Sequence, residues 1–435
     1  MRRAYSAQMD GGMVLAAVAA RQRALIFMHE ANRLSPAGAP RLGFALTILA
    51  ATLLAACNPG GRPGARDLSL ATPPAAPGAA QHAAGEPSEQ IGTGSVKIAL
   101  IVPLTQASGP SVVGASLRNA AQLAYLDSGA NDVSILVKDD HSTPAGAAAA
   151  AQSAVNEGAE IILGPVFAAG VKEAGVVARG AGRPVIAFST DTSAAAHGVY
   201  LLSFLVENYV ERIISFAAQR DKKSIAALIP DNSYGAIALA QFQQSAANHG
   251  LRVMTIERYK PGSASESVKR IAAVADQIDT LFIPDTPEAM ASISRDLVAA
   301  NLDTKRVQIL GTGLWNDPRA YNIPALQGAW FSAPENGGYN AFASRYRAKF
   351  NIEPTRIATL GYDAVSLSIA LSRAQGSQRF SESVLTNPSG FNGADGVFRF
   401  RVDGTNDRGL SVLEITGGQV RVISPAPRTL SGDGA

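Results

Sequence analysis

The chain has 435 residues, and its 38 basic and 35 acidic side chains leave a formal net charge of +3 at pH 7. Because 47% of the residues are hydrophobic and 17% are charged, the composition excludes global disorder, and the length indicates two or three domains. A single cysteine excludes an internal disulfide, and the five histidines show no zinc-binding spacing. We therefore expect no metal, and we expect no other cofactor. Lysine and arginine occur without long runs, so we also expect no nucleic-acid partner.

Residues 1–57 have the features of a signal segment. The apolar run 44–56 follows basic residues and is shorter than the roughly 20 residues that span a bilayer, which favours a secretory signal. It ends in LAAC, which resembles the lipobox of bacterial lipoproteins and implies that Cys57 carries the lipid. Asn58, where an aspartate would favour the inner membrane, implies the inner leaflet of the outer membrane. Met28 is an alternative translation start.

The segment after the cysteine is too poor in large apolar residues to form a core. Of the 38 residues from Cys57 to Gly94, 21 are Pro, Gly or Ala, which predicts a flexible tether over 58–94. A globular module is then expected over 95–424, with a disordered tail at 425–435.

Strand-length apolar segments alternate with helical segments in two successive series. The first series has predicted strands at 96–103, 133–138, 160–164 and 184–188, and the second at 224–230, 251–259, 280–284 and 307–311. Segments that are apolar on both faces are typical of buried parallel strands. The pattern predicts an α/β fold with two doubly wound parallel-sheet lobes.

The same patterns predict a helix between the two series and further elements near the C-terminus. Apolar residues at helical spacing define the buried face of that helix, namely Val206, Val210, Ile213, Ile214 and Ala217. Helices are predicted at 339–350 and 356–374. Short alternating strands at 396–401, 410–415 and 419–423 predict an antiparallel edge.

Ligands bind beyond the carboxyl ends of parallel strands, so the residues just after each strand are the candidate site for a small polar ligand. In the first series these candidates are Thr105, Ala168, Ser189, Thr190, Asp191, Thr192 and Ser193. In the second series they are Tyr234, Asp285, Thr286, Gly313 and Trp315.

Five stretches at these strand ends resemble the type I periplasmic binding proteins of the leucine/isoleucine/valine-binding class. They are VKIALIVPLT at 96–105, KDDHSTP at 138–144, EIILGPVFAA at 160–169, PVIAFSTDTS at 184–193 and PDNSYG at 230–235. The resemblance implies two lobes joined by three crossovers, expected near 204–208, 332–338 and 388–396. It assigns about 95–205 and 338–388 to lobe 1, and about 206–333 and 389–424 to lobe 2.

The sequence departs from this class where its members hold an amino acid. The class has a serine at the position of Ala168 and an acidic residue, for the α-ammonium group, at the position of Gly313. In the loop that contacts the ligand carboxylate, this chain has Asp191 and Ser193. A missing donor and a like charge both disfavour leucine as the ligand.

Several segments look more like the penicillin-binding protein activator lipoproteins, among them GPVFAAGVKEA at 164–174, GTGLWNDP at 311–318 and the tail at 393–418. That resemblance implies a lipid-anchored, non-enzymatic module that acts in cell-envelope synthesis through a peptidoglycan synthase. The alternative is the substrate-binding lipoprotein of an ABC importer for an amino acid or similar small polar solute, with a permease as its partner.

Several polar positions have a structural alternative to a functional role. We interpret 139–141 as loop-holding or helix-capping residues rather than a catalytic cluster. At 231–235, capping of the next helix competes with ligand contact by Tyr234, while Trp315 either faces the cleft or packs in a core. Asp363 is interpreted as a structural residue near the hinge. Because the sequence has no nucleophile elbow, phosphate loop or zinc-protease motif, we expect no enzymatic activity.

Overall fold

The computed structural model describes residues 89–430, which form two large β-sheets covered by helices. The strands are β1 (Glu89–Ile91), β2 (Val96–Val102), β3 (Thr105–Gln106), β4 (Gly109–Pro110), β5 (Val133–Asp139), β6 (Ile161–Leu163), β7 (Val185–Ala187), β8 (Val199–Leu201), β9 (Ser224–Pro230), β10 (Arg252–Tyr259), β11 (Thr280–Phe282), β12 (Gln308–Gly311), β13 (Trp330–Ala333), β14 (Phe391–Gly393), β15 (Gly396–Phe400), β16 (Asn406–Arg408), β17 (Ser411–Thr416) and β18 (Gln419–Ser424). The α-helices are α1 (Val112–Ser128), α2 (Pro144–Asn156), α3 (Ala168–Gly180), α4 (Val206–Gln219), α5 (Ser233–Asn248), α6 (Ser265–Ala272), α7 (Pro287–Ala299), α8 (Pro318–Tyr321), α9 (Asn336–Phe350), α10 (Ala358–Ala374) and α11 (Glu382–Leu385).

Lobe 1 contains a six-stranded sheet in the order β1-β5-β2-β6-β7-β8, in which β1 is antiparallel to β5 and the other pairs are parallel. Because these strands are apolar on both sides, helices cover both faces. The alanine-rich helices α2 and α3 pack on one face, and α1 and α10 pack on the other. The doubly wound arrangement predicted from the sequence is confirmed, with β1 and β8 as additional strands.

Lobe 2 contains a seven-stranded sheet in the order β10-β9-β11-β12-β13-β17-β18. The first five strands are parallel, and β17 and β18 form the expected antiparallel edge. Helices α4 and α5 cover one face and α6 and α7 the other. The five apolar residues predicted to form the inner face of α4 are all buried.

The third crossover lies later in the chain than expected. Residues 391–408 form a separate three-stranded sheet, β14-β15-β16, and Phe398 and Phe400 from it are buried in the core of lobe 1. These two rings lie on one face of β15, because residues two apart in a strand point the same way. The chain enters lobe 2 only between β16 and β17, so lobe 2 receives 411–424 rather than 389–424.

Both ends of the described region are packed against the module. Residues 89–91, within the segment predicted to be a tether, pair with β5. In the segment predicted to be a disordered tail, the N–H of Ala426 donates to Oε1 of Glu335 at 3.2 Å, and Leu430 accepts Nη1 of Arg399 at 3.0 Å. The signal segment and Cys57 lie outside the described residues. Within 89–430, no helix combines the length and apolarity needed to cross a membrane.

Candidate functional site

A hydrogen bond joins the two lobes close to the first crossover. Thr192, in the loop after β7, donates Oγ1 to Oε1 of Glu207 in the first turn of α4 at 3.1 Å. Oε2 of Glu207 is buried and has no hydrogen-bond partner among the described residues. Because α4 belongs to lobe 2, this contact joins the candidate loop of lobe 1 to a residue of lobe 2 that was not predicted.

The polar loop of lobe 1 is largely hydrogen-bonded to itself. Ser189 Oγ accepts the N–H of Asp191 at 3.1 Å, and Asp191 Oδ1 accepts the N–H of Ser193 at 2.9 Å. Lys172, on α3, donates Nζ to Ser193 Oγ at 3.0 Å, whereas Thr190 is exposed. Hydrogen bonds from Ser193 hold the pKa of Asp191 below its ordinary value. Asp191 is therefore ionised at neutral pH and repels a carboxylate placed beside it.

The two other lobe 1 candidates offer little to a ligand. Ala168 begins α3, and the N-cap residue Phe167 makes no side-chain hydrogen bond there. Thr105 donates Oγ1 to Oδ2 of Asp139 at 2.6 Å and lies 2.8 Å from Nδ1 of His141. Asp139 also accepts the N–H of His141 at 2.8 Å and thereby ties two loops together. This geometry agrees with the structural interpretation of 139–141.

Trp315 lies in the core of lobe 2 and does not face the cleft. Its side chain is 0% exposed, and its indole Nε1 donates to the backbone oxygen of Asp285 at 2.9 Å. The buried carboxylate of Asp285 accepts the hydroxyl of Tyr259 and the N–H of Thr286, the latter at 2.7 Å. Thr286 in turn caps α7. These three candidates therefore hold lobe 2 together, and the alternative of Trp315 as an aromatic platform is wrong.

Tyr234 is held at the carboxyl edge of lobe 2. Its hydroxyl lies 2.8 Å from Oγ1 of Thr312, and burial raises its pKa well above the ordinary value. The preceding Asn232 accepts the N–H of Gly235 at 2.8 Å and caps α5. Asn232 therefore caps the helix, as one of the two interpretations expected. Tyr234 lies beside the loop after β12, and ligand contact by its ring stays a prediction.

Gly313 lies directly against Tyr209, a residue on α4 that the sequence did not single out. A Cβ atom on Gly313 would lie 2.5 Å from Cζ of Tyr209. Burial raises the pKa of Tyr209 to about 12, so the phenol is neutral at physiological pH. The ring thus fills the space in which an acidic side chain at position 313 would begin. The available signal was the glycine itself, at a position where the resembling class has a larger side chain.

A cluster of charged side chains lies beside Tyr209, where the crossovers run between the lobes. Arg356 forms a two-pronged ion pair with Asp395, with nitrogen–oxygen distances of 2.8 and 2.7 Å. Arg408, at the end of β16, donates Nε to the backbone oxygen of Ser203 at 3.1 Å. Asp363 is buried, and burial raises its pKa to about 7. The sequence marked Asp363 alone in this group; the others share only their proximity to the crossovers.

The residues described contain no group of three or more His, Cys, Asp or Glu side chains that could hold a metal ion.

Two doubly wound lobes joined by three crossovers, with polar loops at their edges, define a two-lobed binding protein. The sequence model of the periplasmic binding protein family matches residues 95–419. The chain belongs to this family, which indicates the periplasm as its site of action.

Solved structures share the fold at low sequence identity. A branched-chain amino acid ABC transporter periplasmic ligand-binding protein from Burkholderia xenovorans is 16% identical with a TM-score of 0.63, covering 78% of this chain and 97% of that one. A leucine-binding protein from Thermotoga maritima is 22% identical with a TM-score of 0.54, covering 76% and 98%. An ABC transporter solute-binding protein from R. palustris, in complex with benzoate, is 19% identical with a TM-score of 0.54, covering 78% and 98%. A search of curated protein sequences found no significant match.

Proposed function

We propose that this chain is the solute-capturing lipoprotein of an ABC importer, and that its solute is a small organic carboxylate without an α-ammonium group. The observation that carries the choice of solute is the contact between Gly313 and Tyr209. Support for the transport role comes from the family and from the solute-binding proteins that share the fold.

An α-ammonium group requires a negatively charged or strongly accepting partner once it leaves water. Position 313 provides no side chain, and Tyr209 occupies the adjacent space with a neutral phenol. Burying an unpaired charge is costly, and a site that lacks a pairing group discriminates far more strongly than one that lacks a methylene. A zwitterion would therefore bind more weakly than the same carbon skeleton without its ammonium group.

Glu207 is an acidic side chain at the contact between the lobes and is therefore an alternative partner for an ammonium group. One of its carboxylate oxygens already accepts the hydroxyl of Thr192, and the other is enclosed and unpartnered. The Glu207→Gln variant separates the possibilities. We expect it to bind carboxylates at least as well as the wild type, whereas leucine binding in the wild type that is lost in this variant would contradict the proposal.

A thermal-unfolding screen of the purified protein tests the transport role. A solute at 100 times its dissociation constant stabilises the folded state by roughly 2.7 kcal/mol, so a binder raises the melting temperature clearly. We expect stabilisation by aliphatic or aromatic carboxylates such as isocaproate and benzoate. If no solute in a panel of carboxylates, amino acids and their amides stabilises the protein, while a peptidoglycan synthase co-purifies with it, the activator role expected from the sequence replaces this proposal.

Lipid anchoring belongs to the same proposal. A lipid on Cys57 would attach the binding module to a membrane surface through the part of the predicted tether that precedes β1. Mass spectrometry of the protein isolated from its own envelope tests this, with Cys57→Ser as the comparison. An intact, unmodified N-terminus in the wild type would contradict it.

A further inference from the structure

Arg408 is a buried cation whose hydrogen-bonding capacity is mostly unused. The residue is 7% exposed, and its Nε donates to Ser203, but Nη1 and Nη2 have no hydrogen-bond partner in the described part of the chain. A guanidinium has five N–H donors in a planar fork that matches a carboxylate. Burying a charge without hydrogen-bond partners is costly, so these two nitrogens are expected to bind a partner when the protein is in use.

Aromatic rings hold this guanidinium in place. Its central carbon lies 4.5 Å from the ring centroid of Phe204 and 5.5 Å from that of Phe398. The bond from Nε to Ser203 fixes a third direction. The group is therefore oriented by its surroundings before any ligand arrives, which lowers the entropic cost of binding one.

The nearby carboxylates of Asp363 and Asp395 act on the charge of Arg408 but do not hydrogen-bond to it. Both oxygens of Asp395 are taken by the fork of Arg356. Oδ1 of Asp363 accepts the N–H of Ala394 at 2.7 Å, and Oδ2 lies against the α-carbon of Gly393, where it too has no hydrogen-bond partner among the described residues. Neither acid supplies a hydrogen bond to Arg408.

The charge balance of this cluster favours an anion. Arg356 and Arg408 contribute two positive charges, and Asp395 contributes one negative charge. Burial raises the pKa of Asp363 to about 7, so that this carboxyl is only partly ionised at neutral pH. With Asp363 protonated, the cluster carries one net positive charge, and a bound carboxylate would balance it.

The cluster also lies next to the candidate site. Tyr209 contacts Gly313 at the carboxyl end of β12 and is close enough to Arg408 and Arg356 for their charges to lower its pKa, against the larger effect of burial. Arg408 itself lies where the first and third crossovers meet, since it bonds to Ser203. The guanidinium therefore lies at the crossovers that join the two lobes.

We propose that the Nη1 and Nη2 atoms of Arg408 form the subsite that binds the carboxylate of the captured solute. This inference rests on the proposed transport function and assigns its charge-recognising group. It also explains how a chain with alanine at position 168 and an ionised Asp191 in the usual carboxylate loop could still bind an anionic solute.

The test compares a carboxylate with its neutral amide. Calorimetry of the wild-type protein with isocaproate and isocaproamide should show at least about a tenfold preference for the carboxylate, a difference of about 1.4 kcal/mol. Arg408→Gln should lose this preference. Arg399→Gln is the matched control, because Arg399 is on the same small sheet but pairs with Asp407, and it should keep the preference.

The results for the variant and for the wild type separate failure of the Arg408 subsite from failure of the transport function. If Arg408→Gln binds isocaproate as well as the wild type does, the Arg408 subsite is wrong and the transport function stands. If that variant fails to fold, the wild-type pair decides, because equal affinity for carboxylate and amide overturns the subsite. If the wild type binds nothing in the wider panel of carboxylates, amino acids and amides, the transport function fails and the subsite falls with it.

Discussion

The ring of Tyr209 and the α-carbon of Gly313 are in such close contact that a Cβ atom on residue 313 would lie 2.5 Å from Cζ of the ring. The two residues come from different elements, α4 and the loop after β12, and meet at the edge of the cleft. The contact affects both stability and ligand specificity. The ring of Tyr209 packs against Gly313, and it also occupies the space that an acidic side chain at position 313 would need.

The Gly313→Ala variant tests this contact by stability. A forced overlap in a packed region costs about 1 to 3 kcal/mol, so we expect the free energy of unfolding to fall by that amount in a denaturant titration. Gly337→Ala is the control, since a Cβ there meets nothing within 4 Å, and it should be neutral or slightly stabilising. Removing the ring in Tyr209→Ala should relieve the overlap, and an unchanged stability of Gly313→Ala alone would contradict the contact.

Asp363 makes stability depend on pH in a defined direction. The folded protein holds this carboxyl proton up to about pH 7, whereas the unfolded chain releases it near 3.8, the ordinary value. Between these values the folded state binds more protons, so the contribution of Asp363 to the free energy of unfolding falls as pH rises. Asp363→Asn should remove this pH dependence. Its free energy of unfolding, relative to that of the wild type, should therefore rise by the order of 2 kcal/mol between about pH 5 and about pH 8.

The measurement is a denaturant titration of both proteins at several pH values. The buried Asp140, whose pKa burial raises to about 6, changes both proteins alike and cancels in the difference. Asp276→Asn, at a fully exposed side chain, is the control and should follow the wild-type profile. Parallel profiles for Asp363→Asn and the wild type would show that the carboxyl ionises normally.

Asn406 links the first crossover, the small sheet and lobe 2. It is 1% exposed, and its Nδ2 donates to the backbone oxygens of Leu201 and Ser203 at 2.7 and 2.9 Å, while its Oδ1 accepts Nδ2 of Asn208 at 2.9 Å. Asn406→Ala leaves these groups buried without partners, so we expect a loss of about 2 to 4 kcal/mol. Asn392→Ala, at an exposed position, should change stability by less than about 0.5 kcal/mol.

The strands and helices could be predicted because their patterns are local. An apolar run such as β2 is apolar on both faces whatever surrounds it, and the facing of α4 repeats every three to four residues. The third crossover could not be placed because it depends on which core receives Phe398 and Phe400, a long-range choice that period and composition do not encode.

The candidate site was predicted less well for the same reason. Gly311 ends β12 and Gly313 lies in the loop that follows, and each leaves room for an aromatic ring, Trp315 at the first and Tyr209 at the second. The sequence presents both glycines but not the rings that approach them. Arg408 likewise resembles any arginine in a strand until the fold shows it buried and largely unpartnered.

The most direct test of the account is calorimetry of the purified protein with leucine and with isocaproate, which is the leucine skeleton without its ammonium group. The contact between Tyr209 and Gly313, together with the unpartnered Nη1 and Nη2 atoms of Arg408, predicts that isocaproate binds at least about tenfold more tightly than leucine. Tighter binding of leucine would show that the cleft holds an ammonium group after all and would contradict the account.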